Sequence, residues 1–231
     1  MAHLRSSACI VLLLLVACLA VPCEAGAIAG RIVFAGTAPA PRKIEITSDQ
    51  YVCGTEKPGE DLLLSRQNEI RNAVVWIENA PANAAWPKPA PKVEIDQKGC
   101  VYAPHVVVVP VGGTVDFLNG DRLLHNIHAT PKENASFNRT QPKNRTIPIA
   151  FDKPEIVRVL CDLHPWMEAW VVVAPHPFYA VTGSDGKFVF ENIAPGQYRL
   201  RVWHERLGSA ATQVTVSDDK PALATIEMKL P

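Results

Sequence analysis

The chain is 231 residues long, 48% hydrophobic and 20% charged, enough to bury the core of one large or two small globular domains. Lys plus Arg and Asp plus Glu both number 23, so the formal net charge is +0 and no electrostatic footprint favours nucleic acid or an anionic membrane. A charged partner would have to be met by a local patch.

Residues 1–25 read as a secretory signal peptide: a basic start at His3 and Arg5, the apolar run CIVLLLLVACLAV, then the small-residue stretch CEAGA. The mature chain is expected in a periplasm or outside the cell. A membrane anchor competes with this reading, although the apolar run is shorter than the roughly 20 residues a spanning helix needs. LVAC at Leu15 to Cys18 also resembles a lipobox, which would put a lipid anchor on Cys18. Of six cysteines, Cys9, Cys18 and Cys23 lie in or beside this signal, leaving Cys53, Cys100 and Cys161. In an oxidising compartment three cysteines make one disulfide and one leftover thiol.

Beyond the signal, short β-branched runs are punctuated by Pro and Gly: GRIVF, AVVWI, HVVVVPVGGTVDF, EIVRVL, WVVVAP, GKFVFENI, QYRLRVW, TQVTV and ATIEM. Alternation in KFVFE and YRLRVW predicts strands with one face buried. No run of helical period competes, so the predicted class is all-β, built of sandwiches, with 20 prolines suited to turns and edges. Asn134 to Thr146 lacks strand signals and predicts a long polar loop. Its sequons at Asn134, Asn138 and Asn144 would accept glycans in a eukaryotic secretory route.

Near the C-terminus, VTGSDGKFVFENIAPGQYRLRVW joins an SDG turn, an alternating strand, a PG turn and a second alternating strand. This grammar resembles the carboxypeptidase regulatory-like, or transthyretin-like, sandwich. Such domains open with a Gly-rich strand of the type GAIAGRIVFAG, here far upstream at Gly26 to Gly36, and NAVVWIEN suits a second strand of the same sandwich. The resemblance implies a discontinuous domain of residues 26–91 and 175–231, with a module inserted at 92–174. A plain tandem order remains the alternative.

Within that module, CDLHPWM offers a thiolate at Cys161, an imidazole at His164 and a weak thioether at Met167, between the strands EIVRVL and WVVVAP. Two His, one Cys and a long axial Met make a blue-copper electron-transfer set, since soft sulfur suits Cu(I) while imidazole also accepts Cu(II). A second histidine is needed, and LNGDRLLHNIHA offers His125 and His128. The region from KVEIDQ to WVVVAP resembles the cupredoxins, and among them amicyanin, whose ligand loop shares the short Cys-x-x-His-Pro-aromatic-Met form. His125-Asn126-Ile127-His128 also matches the family's His-Asn-hydrophobic-His, whose first His binds copper.

The resemblance implies a Greek-key sandwich holding one type 1 copper ion on His125, Cys161, His164 and Met167, with His128 beside the site. Asn126 would orient the ligand loop by hydrogen bonding near the Cys161 sulfur. His164 would present its ring edge at the surface as the electron exit, within an apolar collar of Pro165 and Trp166 where a redox partner docks. Cys161 must then stay reduced, which leaves Cys53 and Cys100 as the candidate disulfide; two free buried thiols are the alternative. Glu168 competes with Met167 as axial ligand, and Asp121 and Arg122 fall near the site, where they would bear on partner choice. His105, His176 and His204 read as solvated or hydrogen-bonded structural residues, the last two suited to fixing an interdomain angle.

The function expected is that of a monomeric single-electron carrier, not an enzyme. A copper-delivery protein without a redox partner would use the same ligands in a more open site. A surface-binding role for the transthyretin-like sandwich is compatible with either, since fold alone does not give function. Neither a His-x-His array nor a Cys-x-x-x-Cys motif occurs, which speaks against an oxidase or a nitrite-reductase-like enzyme.

Overall fold

The computed structural model describes residues 26–81, 84–217 and 220–231; the signal-peptide and lipid-anchor readings fall outside them. No helix among the described residues is long and apolar enough to cross a membrane. Strand β1 (Gly26–Phe34) leads to β2 (Lys43–Glu45), the one-turn helix α1 (Gln50–Cys53), β3 (Glu56–Pro58) and β4 (Val74–Ile77). Next come β5 (Val93–Gln97), β6 (Tyr102–Ala103), β7 (Val106–Pro110), β8 (Gly113–Asn119) and β9 (His125–Ala129). Then follow β10 (Phe137–Gln141), β11 (Thr146–Phe151), β12 (Glu155–Leu160) and β13 (Glu168–Ala174). The chain closes with β14 (Tyr179–Val181), β15 (Lys187–Ile193), β16 (Gly196–His204), β17 (Gly208–Val216) and β18 (Ala222–Met228).

The fold is all-β and made of two sandwiches. In one, the sheet β10-β9-β12-β13-β7 faces β11-β8-β5-β6, with Ile127, Val157, Val159 and Val171 packed against Ile95, Val115, Phe117 and Phe151. In the other, β15-β1-β18 faces β14-β4-β16-β17, with Ile28, Ile32, Phe190 and Ile226 against Val75, Ile77, Leu200 and Val202. Strand β1 pairs with β15 and β18, and β4 with β14 and β16, so the first strands share sheets with the last. Gly30 explains part of the Gly-rich opening: a Cβ there would run into the Ala224 carbonyl and the Phe188 ring. Gly186 closes the SDG turn at φ 63°, its N–H donating to the Gly183 carbonyl at 3.1 Å.

The unbroken valine runs lie where the sandwiches meet. Along β7, Val107 and Val109 enter the first core, while Val106 and Val108 turn outward to a seam with Val172, Trp170, Val74, Trp76, Tyr179 and Trp203. Both faces are covered, so no polar residue is needed on alternate positions. Trp170 and Trp203 meet edge to face at 5.0 Å, and Trp76 stacks on Tyr179 at 5.5 Å. At the seam's rim His105 Nε2 contacts Glu205 and Trp170 donates its indole N–H to the same carboxylate at 2.9 Å. His204 is buried nearby, and burial pushes its imidazole down to about 4.

The polar loop expected from Asn134 to Thr146 contains strand β10, paired with β9 over Phe137–Gln141. Only Phe137 and Gln141 are buried along it, so hydrophobic alternation is absent and the strand is set by pairing. Gln141 supplies a polar core contact instead, its Nε2 donating to the carbonyls of Phe117 and Arg145, both at 2.7 Å. Asn134 is tied down as well, donating to the Lys153 carbonyl at 2.9 Å and to Glu155 at 3.0 Å.

Residues 43–58 form a small separate unit, the β2–β3 pair with α1 between. Ile46 and Cys53 from this unit bury themselves in the core of the β5–β13 sandwich. Helix α1 thus rests against the end of that sandwich where β12 gives way to β13.

Candidate metal centre

His125 is the first residue of β9, and Cys161 directly follows β12, whose last residue Leu160 pairs with His128. That register brings the two side chains to one end of the sandwich. The connection to β13 is tight: Met167 donates its N–H to the His164 carbonyl at 2.8 Å, and Cys161 its own to the Met167 carbonyl at 3.2 Å. Three donor atoms converge as a result. His125 Nδ1 and His164 Nδ1 lie 2.9 Å apart, and the Cys161 sulfur is 3.9 Å from the first and 3.7 Å from the second. His125, Cys161, His164 and Met167 are all buried, Met167 within the same core cluster as Cys161.

Both imidazoles are oriented from behind. Asp121 Oδ2 sits 2.9 Å from His125 Nε2, and Asp49 Oδ2 sits 3.1 Å from His164 Nε2. A carboxylate on the outer nitrogen fixes the tautomer with Nδ1 free to face inward, which is how metal-binding histidines are commonly held. Burial pushes the His125 imidazole down against the opposing pull of Asp121, so the ring favours its neutral, ligating form. Burial likewise pushes the Cys161 thiol up, while backbone groups of Asn126, His164 and Leu163 pull it back toward the thiolate. A cation at this point would complete that pull, since a coordinating thiol is deprotonated outright. Two imidazole nitrogens and one sulfur, all buried and within 4.8 Å of one another, fit a soft transition-metal ion.

Asn126 acts as a clamp on the ligand loop. Its Oδ1 accepts the Asp162 N–H at 2.7 Å, and its Nδ2 donates to Asp162 and Asn138, each at 2.9 Å. His128 points to the outer side, 2.8 Å from Asp162 Oδ1, away from the donor cluster. Cys53 and Cys100 are joined at an S–S distance of 2.05 Å, and Cys161 is the free cysteine among the described residues. Glu168 is engaged elsewhere, accepting from Arg158 Nε and Nη2 at 2.6 and 2.8 Å.

His164 does not present its ring edge at the surface, contrary to the expectation from the resemblance. The ring is 1% exposed because Asp49 covers its outer edge, and Trp166 lies against it at 5.2 Å between ring centres. Trp166 is itself only partly exposed, its indole N–H donating to the Cys100 carbonyl at 3.1 Å; Pro165 and Leu163 form the open rim. Asp121 is buried and caps the Gly99 and Cys100 N–H groups, while Arg122 is exposed. The carboxylate on His125 lies four residues upstream of it and is legible as a neighbour, but Asp49 is 115 residues from His164 and nothing in the sequence marks it.

Residues 164–229 match the carboxypeptidase regulatory-like domain family. No match is found among curated proteins. Among solved structures, a Cu-containing nitrite reductase from Thermus scotoductus is similar at 23% identity and a TM-score of 0.36, over 42% of this chain. The chain spans only 25% of that reductase. A purple cupredoxin from Nitrosopumilus maritimus is similar at 23% identity and a TM-score of 0.32, over 36% of this chain and 100% of its own. The reduced Cu(I) form of an amicyanin point mutant at pH 4 is similar at 21% identity and a TM-score of 0.34, over 43% of this chain and 98% of its own.

Proposed function

We propose that this chain is an exported type 1 copper protein that carries single electrons and turns over no substrate. The observation that carries the reading is the convergence of His125 Nδ1, His164 Nδ1 and the Cys161 sulfur in a buried pocket, with Cys161 kept out of disulfide bonding. Met167, buried in the same core, is the axial candidate, and the Arg158 pairing of Glu168 favours it over that residue. Copper held there would supply one-electron chemistry, because thiolate sulfur suits Cu(I) and imidazole suits both oxidation states. The chain's own part is to keep the donors fixed: Asp121 and Asp49 hold the rings, Asn126 holds the loop, and the sandwich excludes water.

The copper module is proposed to be residues 92–174, inserted in a transthyretin-like sandwich of 26–91 and 175–231. Pairing of β1 and β4 with the strands after Ala174 supports that division. A redox protein would dock as a transient partner of the monomer at the face of the 161–167 loop, on the Leu163 and Pro165 rim instead of the bare His164 edge.

The test is an absorption spectrum of the mature protein after adding Cu(II), repeated on Cys161→Ala. An intense visible thiolate-to-copper band in the wild type, lost in the variant, is expected. A colourless wild type ends the proposal.

A further inference from the structure

Asp49, Cys53, Cys100 and Asp121 form one continuous chain of contacts behind the two imidazoles. The Asp49 carbonyl accepts the Cys53 N–H at 2.9 Å, Cys53 is bonded to Cys100, and the Cys100 N–H donates to Asp121 Oδ2 at 2.8 Å. The two carboxylates at the ends of this chain are the ones on the outer nitrogens of His164 and His125. One covalent bond therefore ties together the elements that orient both rings. Asp49 sits at φ 51°, a conformation that non-glycine residues keep where surrounding contacts demand it. Residues 43–58 approach from outside the β5–β13 sandwich, anchored in its core by Ile46 and Cys53.

We propose that this segment is a fixed cap over the metal centre, in which Asp49 is a positioning residue for His164 and the Cys53–Cys100 bridge holds the cap shut. The inference rests on the copper reading above and makes the site one that retains its ion. For a bound metal to exchange, His164 must swing outward or a competing ligand must reach the sulfur. Swinging outward breaks the Asp49 contact on one edge and the Trp166 packing on a face. Lifting Asp49 away requires moving a segment that is covalently tethered four residues later at Cys53. A carrier that hands over copper needs the opposite arrangement, an accessible histidine edge.

Alkylation of Cys161 by iodoacetamide in the folded, metal-free protein, read by peptide mapping, reports closure without any copper. Asp49→Ala is expected to speed it by about tenfold or more, the scale of losing one charge-assisted hydrogen bond. Asp49→Asn keeps an acceptor oxygen and restores most of the protection, which a loss of general stability would not. The Cys53→Ser, Cys100→Ser double variant opens the site at least as far as Asp49→Ala, and copper-loaded protein yields its metal to a chelator in the same order. Equal Cys161 alkylation rates in wild type and Asp49→Ala overturn the cap whether or not copper binds. Should the alkylation order hold while the wild type stays colourless with Cu(II), the cap stands and the copper reading fails.

Discussion

Trp170 donates its indole N–H to Glu205 at 2.9 Å, joining a strand of one sandwich to the residue that follows β16 in the other. His105 holds the second oxygen of the same carboxylate. Burial alone would push His105 down, but the Glu205 hydrogen bond and charge outweigh it and the imidazole is raised from its ordinary 6.5. Glu205 is lowered from 4.5, since His105 and Trp170 outweigh the upward push of burial. The raised His105 stabilises below 6.5 and loses that contribution as pH rises through its folded value. The lowered Glu205 stabilises above 4.5 and loses its contribution as pH falls through its folded value.

Glu205→Gln should therefore lower stability by roughly 1–3 kcal/mol, the cost of a buried hydrogen-bonded charge. Thermal midpoints of wild type and variant, followed from acid to alkaline pH, should differ most between 4.5 and 6.5. The gap should narrow on both sides of that window. A gap independent of pH would mean the pair carries no charge coupling.

The strands of the seam were legible as strands, while their place between the two sandwiches was not. Val106 to Val109 and Val171 to Val173 do not alternate, and a strand without polar positions must be covered on both faces. Cys161, His164 and Met167 were legible as candidates because one short loop carries all three, and His125 because His125-Asn126-Ile127-His128 resembles the cupredoxin ligand pattern. Strand β10 was not, since its inward residues are one phenylalanine and a glutamine whose burial is made tolerable by partners on β5, on β8 and in the following turn. The Asp49 contact was beyond reach for a different reason. It depends on where a one-turn helix lands after crossing from one sandwich to the other, and no local pattern encodes that landing.

Thiol counting on the mature, metal-free protein in denaturant without reductant should find one free thiol, at Cys161. Replacing Cys53 and Cys100 by Ser should cost about 4 kcal/mol from loop closure alone, given their separation of 47 residues. Denaturant titration measures this as a lower midpoint. Finding three thiols would remove the bridge.

Asn126→Ala removes the acceptor for the Asp162 N–H and both donations to Asp162 and Asn138. The ligand loop then loses its Asn126 ties to β9, keeping the His128 contact to Asp162, while every donor atom stays in the chain. Copper affinity should fall by about 10- to 100-fold, as when an outer hydrogen-bond partner of a ligand is lost. Competition with a chelator of known affinity reads the change. Unaltered affinity would reduce Asn126 to a structural residue of the loop.

Met167→Leu separates the thioether's chemistry from its packing. Met167 is 1% exposed in the core, and a swap of similar volume there costs under about 1.5 kcal/mol, so the fold survives. Any spectral change then belongs to the sulfur. If the thioether is the weak axial donor, its removal costs Cu(II), the more highly charged ion, more than Cu(I), which tolerates fewer ligands. The reduction potential should rise and the visible absorption should shift, with the thiolate-to-copper band retained because Cys161 is untouched. Glu168 is not expected to move in as a replacement, since Arg158 holds both of its oxygens. A potential and spectrum identical to wild type would show that Met167 only fills space in the core.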